Sequence, residues 1–242
     1  DVLKHMKGEL TNLRKQYEVL PVPRLRKGET LFPPWREFGT FEIGLPDEGW
    51  TSLFDGKSLK GWRQPFASKP GEPISQIAKP TGIEVQNGEI RLTPSPQVFY
   101  LHTLDFSDFI LELEAFMPEK EFDSGIGFRC VLPKGKQLPA GYQSEISDIR
   151  SGGIYDIGVG WMNPAEEEEK INDFVDRTGT FFKPKAWNQI RVACKGSRIR
   201  TWINGQLCSD LKDSKHKAGT IGLQHHAKEG VYRFRKIRIR EI

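Results

Sequence analysis

The stretch Gly141-Tyr-Gln-Ser-Glu-Ile-Ser-Asp148 alternates two kinds of side chain along the chain. Gln143 and Glu145 share one face of an extended segment, because successive side chains of a β-strand point to opposite sides of the sheet. The residues between them make the other face more apolar. The pattern predicts a β-strand that carries an amide and a carboxylate side by side, which is typical of substrate-binding strands and also of ordinary solvated sheet faces.

Similar short segments recur to the end of the chain, and turn residues separate them. Asn87-Gly88 and Asn204-Gly205 are dipeptides that favour tight hairpin turns. Alternating segments cover residues 89–93, 109–117, 124–130, 186–194, 198–203, 219–226 and 231–240. This pattern predicts an all-β fold in which two antiparallel sheets pack face to face. The acidic residues 163–172 predict a solvated helical excursion.

The chain has 242 residues, which favours one domain of roughly 190 residues plus an extension over two equal domains. Apolar residues near helical spacing predict a helix at residues 1–19. Five prolines in residues 20–46 predict an extended linker, because proline cannot donate a backbone hydrogen bond. We therefore expect a sandwich domain at residues 47–242.

Charge and composition limit the classes of function. The formal net charge is +4 and the basic residues form no continuous tract, so nucleic acid is not an expected partner. No window approaches the roughly 20 apolar residues of a membrane span. Asp1 stands first and no signal peptide is visible, so we expect the sequence to begin inside a longer chain.

The three cysteines lack the spacing of a metal site. Cys130, Cys194 and Cys208 are odd in number, and we interpret them as small buried hydrophobic residues. A bridge between Cys194 and Cys208 is the alternative.

Five motifs follow one another in the order of a known family. The first is Gly49-Trp-Thr-Ser-Leu-Phe-Asp-Gly-Lys-Ser-Leu-Lys-Gly-Trp62. The others are K-P-x-x-W-N-x-x-R-V at 183–192, R-x-W-x-N-G at 200–205, G-x-I-G-L-Q-x-H at 219–226 and F-R-x-I-R-I at 234–239. Together with the central strand they resemble the 3-keto-disaccharide hydrolase domain, long catalogued as a domain of unknown function. The resemblance implies a concanavalin A-like β-sandwich, or jelly roll, in a periplasmic or extracellular protein.

Two positions depart from the common family pattern, and a short resemblance to another family lies at the start. The family's central strand reads G-Y-E-x-Q-I-x-D, whereas Gln143 and Glu145 exchange those places here, and Lys236 stands where Asn is frequent. Residues 1–18 resemble the last helix of bacterial sulfatase-type hydrolases, which implies the remnant of a preceding domain. A helix packed on the outside of this domain is the alternative.

The family resemblance implies hydrolysis of 3-keto-glycosides or 3-keto-disaccharides. A base removes the C2 proton, an acid protonates the departing oxygen, and water then adds to the enone. Glu145 and His226 are the expected catalytic pair, in either order. Arg129 or a divalent metal would hold the enolate oxygen, although no spacing signature for a metal is present.

Further polar and aromatic residues complete the expected sugar site. Alternation places Gln224 with His226 on one face and His225 on the other. The expected substrate-binding residues are Arg129, Gln143, Gln224, Tyr155 and Trp161. Other tryptophans are expected to pack in the core or in hairpins, namely Trp50, Trp62, Trp187 and Trp202. The alternative function is a non-catalytic carbohydrate-binding or accessory module, with carbohydrate as the partner in either case.

Overall fold

The computed structural model describes residues 49–64, 82–94, 98–118, 121–134, 136, 138–226 and 228–242. All of them belong to one of the two units into which the chain divides, Phe41–Ile242. The predicted helix at residues 1–19 and the predicted linker at residues 20–46 lie outside the described residues. The proposed domain bounds therefore remain predictions.

Two antiparallel sheets contain the described strands, which are numbered in chain order. Sheet I has the spatial order β13 (Gln206–Lys212), β12 (Arg198–Ile203), β11 (Asn188–Lys195), β6 (Phe109–Phe116), β15 (Tyr232–Glu241), β4 (Glu89–Leu92) and β3 (Ile83–Gln86), and β1 (Thr51–Ser52) also pairs with β15. Sheet II has the order β10 (Gly160–Asn163), β9 (Ile154–Asp156), β8 (Ala140–Ser147), β7 (Asp123–Val131), β14 (Gly219–His225), β5 (Val98–Phe106) and β2 (Trp62–Arg63). The predicted all-β sandwich is confirmed.

The main core lies between the two sheets. Tyr142 and Ile146 of β8 are fully buried there, as is Leu223 of β14, and Leu111 and Val192 come from sheet I. The alternation predicted for residues 141–148 follows from this packing, because only one face of sheet II meets sheet I. Gln143 and Glu145 therefore lie on the outer face of sheet II.

A helix interrupts the strands where the sequence predicted an acidic excursion. Helix α1 covers Glu168–Thr178 and buries Phe174 and Thr178. It begins and ends later than the predicted segment, because Asn163 still belongs to β10 and Phe174 packs into the core. No helix among the described residues is long and apolar enough to cross a membrane.

The three cysteines are buried, as the sequence predicted. Cys130, Cys194 and Cys208 are free and buried, so the Cys194–Cys208 bridge does not form. Burial raises the pKa of the Cys194 and Cys208 thiols to about 12, which makes them poor nucleophiles.

The tryptophans expected in the core or in hairpins differ in burial. Trp62 and Trp202 are buried. Trp50 and Trp187 are half-buried and lie beneath arginine side chains, as in the stack of Arg235 on Trp187.

Candidate functional site

Three neighbouring strands of sheet II build the floor of the candidate site. In the register of β7 and β8, Gly125 lies opposite Glu145 and Gly127 lies opposite Gln143. On the other side of β7, Gln224 of β14 also pairs with Gly125. A Cβ atom on Gly125 would lie 2.5 Å from the Gln143 side chain. The glycine therefore leaves room for Gln143 to lie flat across β7.

A hollow of about 470 Å³ opens above this floor. Its size falls within the roughly 300–1,000 Å³ of ordinary small-molecule sites. The structure brings six of the seven candidate residues together in it, and adds an aspartate and aliphatic groups. The lining residues are Asp123, Leu138, Gln143, Glu145, Tyr155, Ile157, Gly158, Trp161, Gln224 and His226.

The Gln143 amide connects the polar groups of the floor. Its Nε2 donates to Oε2 of Glu145 at 2.7 Å and to Oε1 of Gln224 at 3.1 Å. All three side chains are buried, although they line the hollow. The hydrogen bond from Gln143 holds the Glu145 carboxyl in one orientation towards the hollow.

Burial raises the pKa of Glu145 to about 8, since the charged carboxylate is poorly solvated there. The negative charge of Asp123 raises the pKa further, whereas hydrogen bonds from Gln143 and Ser147 and the charge of Arg150 lower it. Desolvation outweighs these opposing effects. Glu145 is therefore mainly protonated at neutral pH and can donate a proton.

His226 lies at the end of β14 and forms a pair with Asp123. Its Nδ1 lies 3.0 Å from Oδ2 of Asp123, and its backbone amide donates to the Asp123 carbonyl oxygen at 3.1 Å. A carboxylate at Nδ1 favours the tautomer in which Nδ1 carries the hydrogen, which leaves Nε2 as the basic nitrogen. His225 faces the interior and stacks on Tyr232 at 4.3 Å between ring centroids, as alternation predicted.

Tyr155 and Trp161 form an aromatic wall beside the floor. They pair across β9 and β10, and their rings meet edge to face at 5.3 Å. The Arg150 guanidinium lies over the Trp161 ring, 4.4 Å from its centroid. Such a partly exposed wall of aromatic rings suits the apolar faces of a sugar.

The expectation that Arg129 lines this hollow is wrong. Arg129 has a φ of 49°, and the register of β7 against β8 shifts between Phe128 and Val131. The bulge breaks the alternation that linked Arg129 to Gly125 and Gly127. The buried guanidinium instead donates to the carbonyl oxygens of Ser107, Gly196 and His216 and to Asp108.

Asp123 is the polar residue of the site that the sequence reasoning missed. It begins β7 two residues before Gly125 and four before Gly127. Alternation therefore places its side chain on the same face as both glycines, and that signal was available in the sequence. Its pairing with His226 depends on the contact between β7 and β14, which no local pattern shows.

Asp123, Glu145 and His226 are of types that can ligate a metal ion, and all three line the hollow. Across the part of the chain that the structure describes, no three His, Cys, Asp or Glu side chains are grouped so as to hold a metal ion. In the hollow, Asp123 and His226 pair with each other.

Another hollow, of about 530 Å³, lies on the outer face of sheet I. Its carboxylates are held by cations: Glu112 contacts Arg191 and Arg238, and Glu114 contacts Arg235 and Lys236. Such paired charges stabilise a solvated sheet face. The hollow on sheet II is therefore the better candidate for chemistry.

Comparisons with known proteins identify the family and the fold. A family model described as the 3-keto-alpha-glucoside-1,2-lyase-like domain matches residues 49–240. No curated protein gives a significant match to the chain.

Solved structures of the same architecture include two proteins of Parabacteroides distasonis described as glycosyl hydrolases. One has a TM-score of 0.57 and 14% sequence identity, and the match covers 81% of this chain and 94% of that chain. The second has a TM-score of 0.54 and 18% identity, with coverage of 80% and 99%. A structure described as a native glycosidic hydrolase has a TM-score of 0.52 and 12% identity, with coverage of 79% and 94%. At such identities the similarity shows the fold alone, and it agrees with the concanavalin A-like sandwich expected from the sequence.

Proposed function

This chain belongs to the 3-keto-alpha-glucoside-1,2-lyase-like domain family, and from that membership we propose that it cleaves 3-keto-glycosides or 3-keto-disaccharides. The reaction is removal of the C2 proton, elimination of the glycosidic oxygen and addition of water, with hydrolysis as the net result. One observation supports this chemistry most directly: a protonated carboxyl group and an imidazole with a basic nitrogen line the same hollow.

We assign the base to His226. The ketone at C3 acidifies the C2 hydrogen, because the resulting charge spreads onto the ketone oxygen. Nε2 of His226 takes this proton and an imidazolium forms. Asp123 stabilises that imidazolium through its contact with Nδ1. The electron pair of the broken C–H bond then forms the enolate.

Glu145 is the acid in the next step. As the enolate collapses, the bond from C1 to the glycosidic oxygen breaks, and the leaving oxygen takes the Glu145 proton. Water then adds at C1 of the enone and gives a proton to the Glu145 carboxylate. The imidazolium returns its proton to C2, so both side chains recover their starting states.

The enolate oxygen needs hydrogen-bond donors in place of the expected Arg129. The Gln224 amide and the Tyr155 hydroxyl both lie in the lining of the hollow and can supply them. The aromatic wall of Tyr155 and Trp161 would position the sugar ring. The same wall supports the second candidate function, which is carbohydrate binding without turnover.

A periplasmic or extracellular location goes with this function, since glycan fragments are commonly processed outside the cytoplasm. The proposal is tested by incubating the protein with a panel of 3-keto-glycosides and following release of the leaving group, with and without EDTA. We expect turnover by the wild type and a loss of roughly 10²–10⁴-fold in Glu145→Gln and His226→Gln. Exposed Asp105 lies on β5, and Asp105→Asn serves as the matched control. Sugar binding without turnover of any substrate would support the binding module instead.

A further inference from the structure

A second hollow adjoins the candidate site on the outer face of sheet II. It encloses about 330 Å³. Its lining residues are Glu121, Phe122, Asp123, Glu145, Ser147, Asp148, Ile149, Arg150, Trp161 and Lys228. Most of these come from the start of β7 and from the turn that follows β8.

Three residues line both hollows: Asp123, Glu145 and Trp161. The proposed acid therefore lies at the junction rather than at the end of a closed pocket. A molecule that fills both hollows passes over Glu145, with one part beside His226 and the other beside Arg150. That arrangement suits a substrate whose scissile bond joins two groups, one in each hollow.

The second hollow combines two cationic side chains with four carboxyl groups, those of Glu121, Asp123, Glu145 and Asp148. Arg150 and Lys228 are its cations, and Arg150 is held over Trp161 at 4.4 Å from the ring centroid. The Glu121 backbone amide donates a hydrogen bond to one carboxylate oxygen of Asp148 at 2.8 Å. Ser147 adds a hydroxyl group. Because carboxyl groups outnumber the cations, the hollow disfavours an anion, and its donors and acceptors suit a neutral group with many hydroxyls.

The two hollows also differ in what they can do to a reacting ring. The imidazole of His226 and the amides of Gln143 and Gln224 line only the first. These are the groups that the proposed mechanism places beside C2 and the ketone oxygen. The keto sugar therefore belongs in the first hollow, and the departing oxygen lies near Glu145.

From this geometry we propose that the second hollow is a leaving-group subsite for a neutral sugar or similar polyol. Arg150 is its specificity-determining residue, because its guanidinium can donate several hydrogen bonds and lines the second hollow but not the first. The assignment of the leaving group rests on the proposed function, whereas the binding of a second sugar ring does not.

The test compares two ligands that share the keto ring and differ in the leaving group. Methyl 3-keto-α-glucoside fills only the first hollow, and 3-keto-trehalose reaches both. Calorimetric titrations use Glu145→Gln protein, which prevents turnover during the measurement. Arg150→Ala and Arg150→Lys are then added to that background, and Arg63→Ala on β2 is the matched control for loss of a cation.

We expect the disaccharide to bind about tenfold more tightly than the methyl glycoside. Arg150→Ala should reduce this affinity ratio to below about threefold without weakening the binding of the methyl glycoside. The ratio for Arg150→Lys should lie between those of the parent and Arg150→Ala. Arg63→Ala should leave the ratio unchanged.

Three results overturn the subsite: equal affinities in the parent, equal weakening of both ligands by Arg150→Ala, or no binding of either ligand. Failure of the proposed function has a different signature. If the ratio responds to Arg150 but the wild type releases no product from 3-keto-trehalose, the second sugar-binding subsite stands and the catalytic assignment fails.

Discussion

The Gln143 amide donates to the Glu145 carboxyl at 2.7 Å, between residues that occupy successive positions on one face of β8. An amide nitrogen can only donate, so this bond favours the charged carboxylate. Burial favours the neutral acid and has the larger effect, since the pKa of Glu145 is raised to about 8. The pair therefore holds a proton donor in a fixed position at neutral pH.

The raised pKa predicts a particular dependence of stability on pH. The pKa of Glu145 is about 8 in the folded protein, against an ordinary value of 4.5 for the free side chain. Between these values the folded state binds more protons than the unfolded state, so this residue lowers the free energy of unfolding as pH rises, by up to about 1.4 kcal/mol per pH unit. Glu145→Gln should remove this contribution. Urea denaturation from pH 5 to 8 measures it, and parallel curves for the two proteins would contradict the assigned burial effect.

The same hydrogen bond predicts a shift in the pH–rate profile. Activity should fall as pH rises through about 8, because Glu145 must be protonated to act as the acid. Gln143→Leu removes a bond that lowers this pKa, so the alkaline limb should move to higher pH. Initial rates on a 3-keto-glycoside from pH 6 to 10 give the two profiles. A limb that moves to lower pH would show that another group controls the decline.

Asp123 is expected to act through His226. Asp123→Asn removes the carboxylate that lies 3.0 Å from Nδ1, and the favoured tautomer is lost with it. We expect kcat to fall roughly 10²-fold or more, whereas KM changes little. Asp105→Asn, at an exposed position of β5, is the control. A variant that loses affinity but retains kcat would mean that Asp123 binds substrate directly.

Gly125 is expected to be required for the position of Gln143. A Cβ at residue 125 would lie 2.5 Å from three atoms of the Gln143 side chain, so Gly125→Ala should cost roughly 1–3 kcal/mol of stability. In a Gln143→Ala background the obstruction is absent, and the same substitution should cost much less. A double-mutant cycle by chemical denaturation measures this coupling. Additive costs would rule out the proposed contact.

Arg129 is expected to matter for folding rather than for substrate. Its guanidinium holds three carbonyl oxygens and Asp108 while 1% of the residue is exposed. Arg129→Ala leaves those acceptors without a donor and should cost roughly 3 kcal/mol. The folded fraction should retain the KM of the wild type. A large rise in KM with unchanged stability would return Arg129 to the substrate site.

The sequence determined the parts of this protein that depend on local geometry. Turn dipeptides and two-residue alternation predicted the sheets, and they placed Gln143 with Glu145 and Gln224 with His226 on common faces. Side chains alternate along any strand, so these assignments need no knowledge of neighbouring strands. Ordered motifs added the family over most of the chain.

The tertiary structure decided what depends on several strands at once. The bulge after Phe128 turned Arg129 towards the loops, because it arises from the pairing of β7 with β8. The pair of Asp123 with His226 requires β7 and β14 to meet. The proton on Glu145 at neutral pH reflects burial by surrounding elements, and desolvation is a property of the whole environment that no spacing of residues along the chain records.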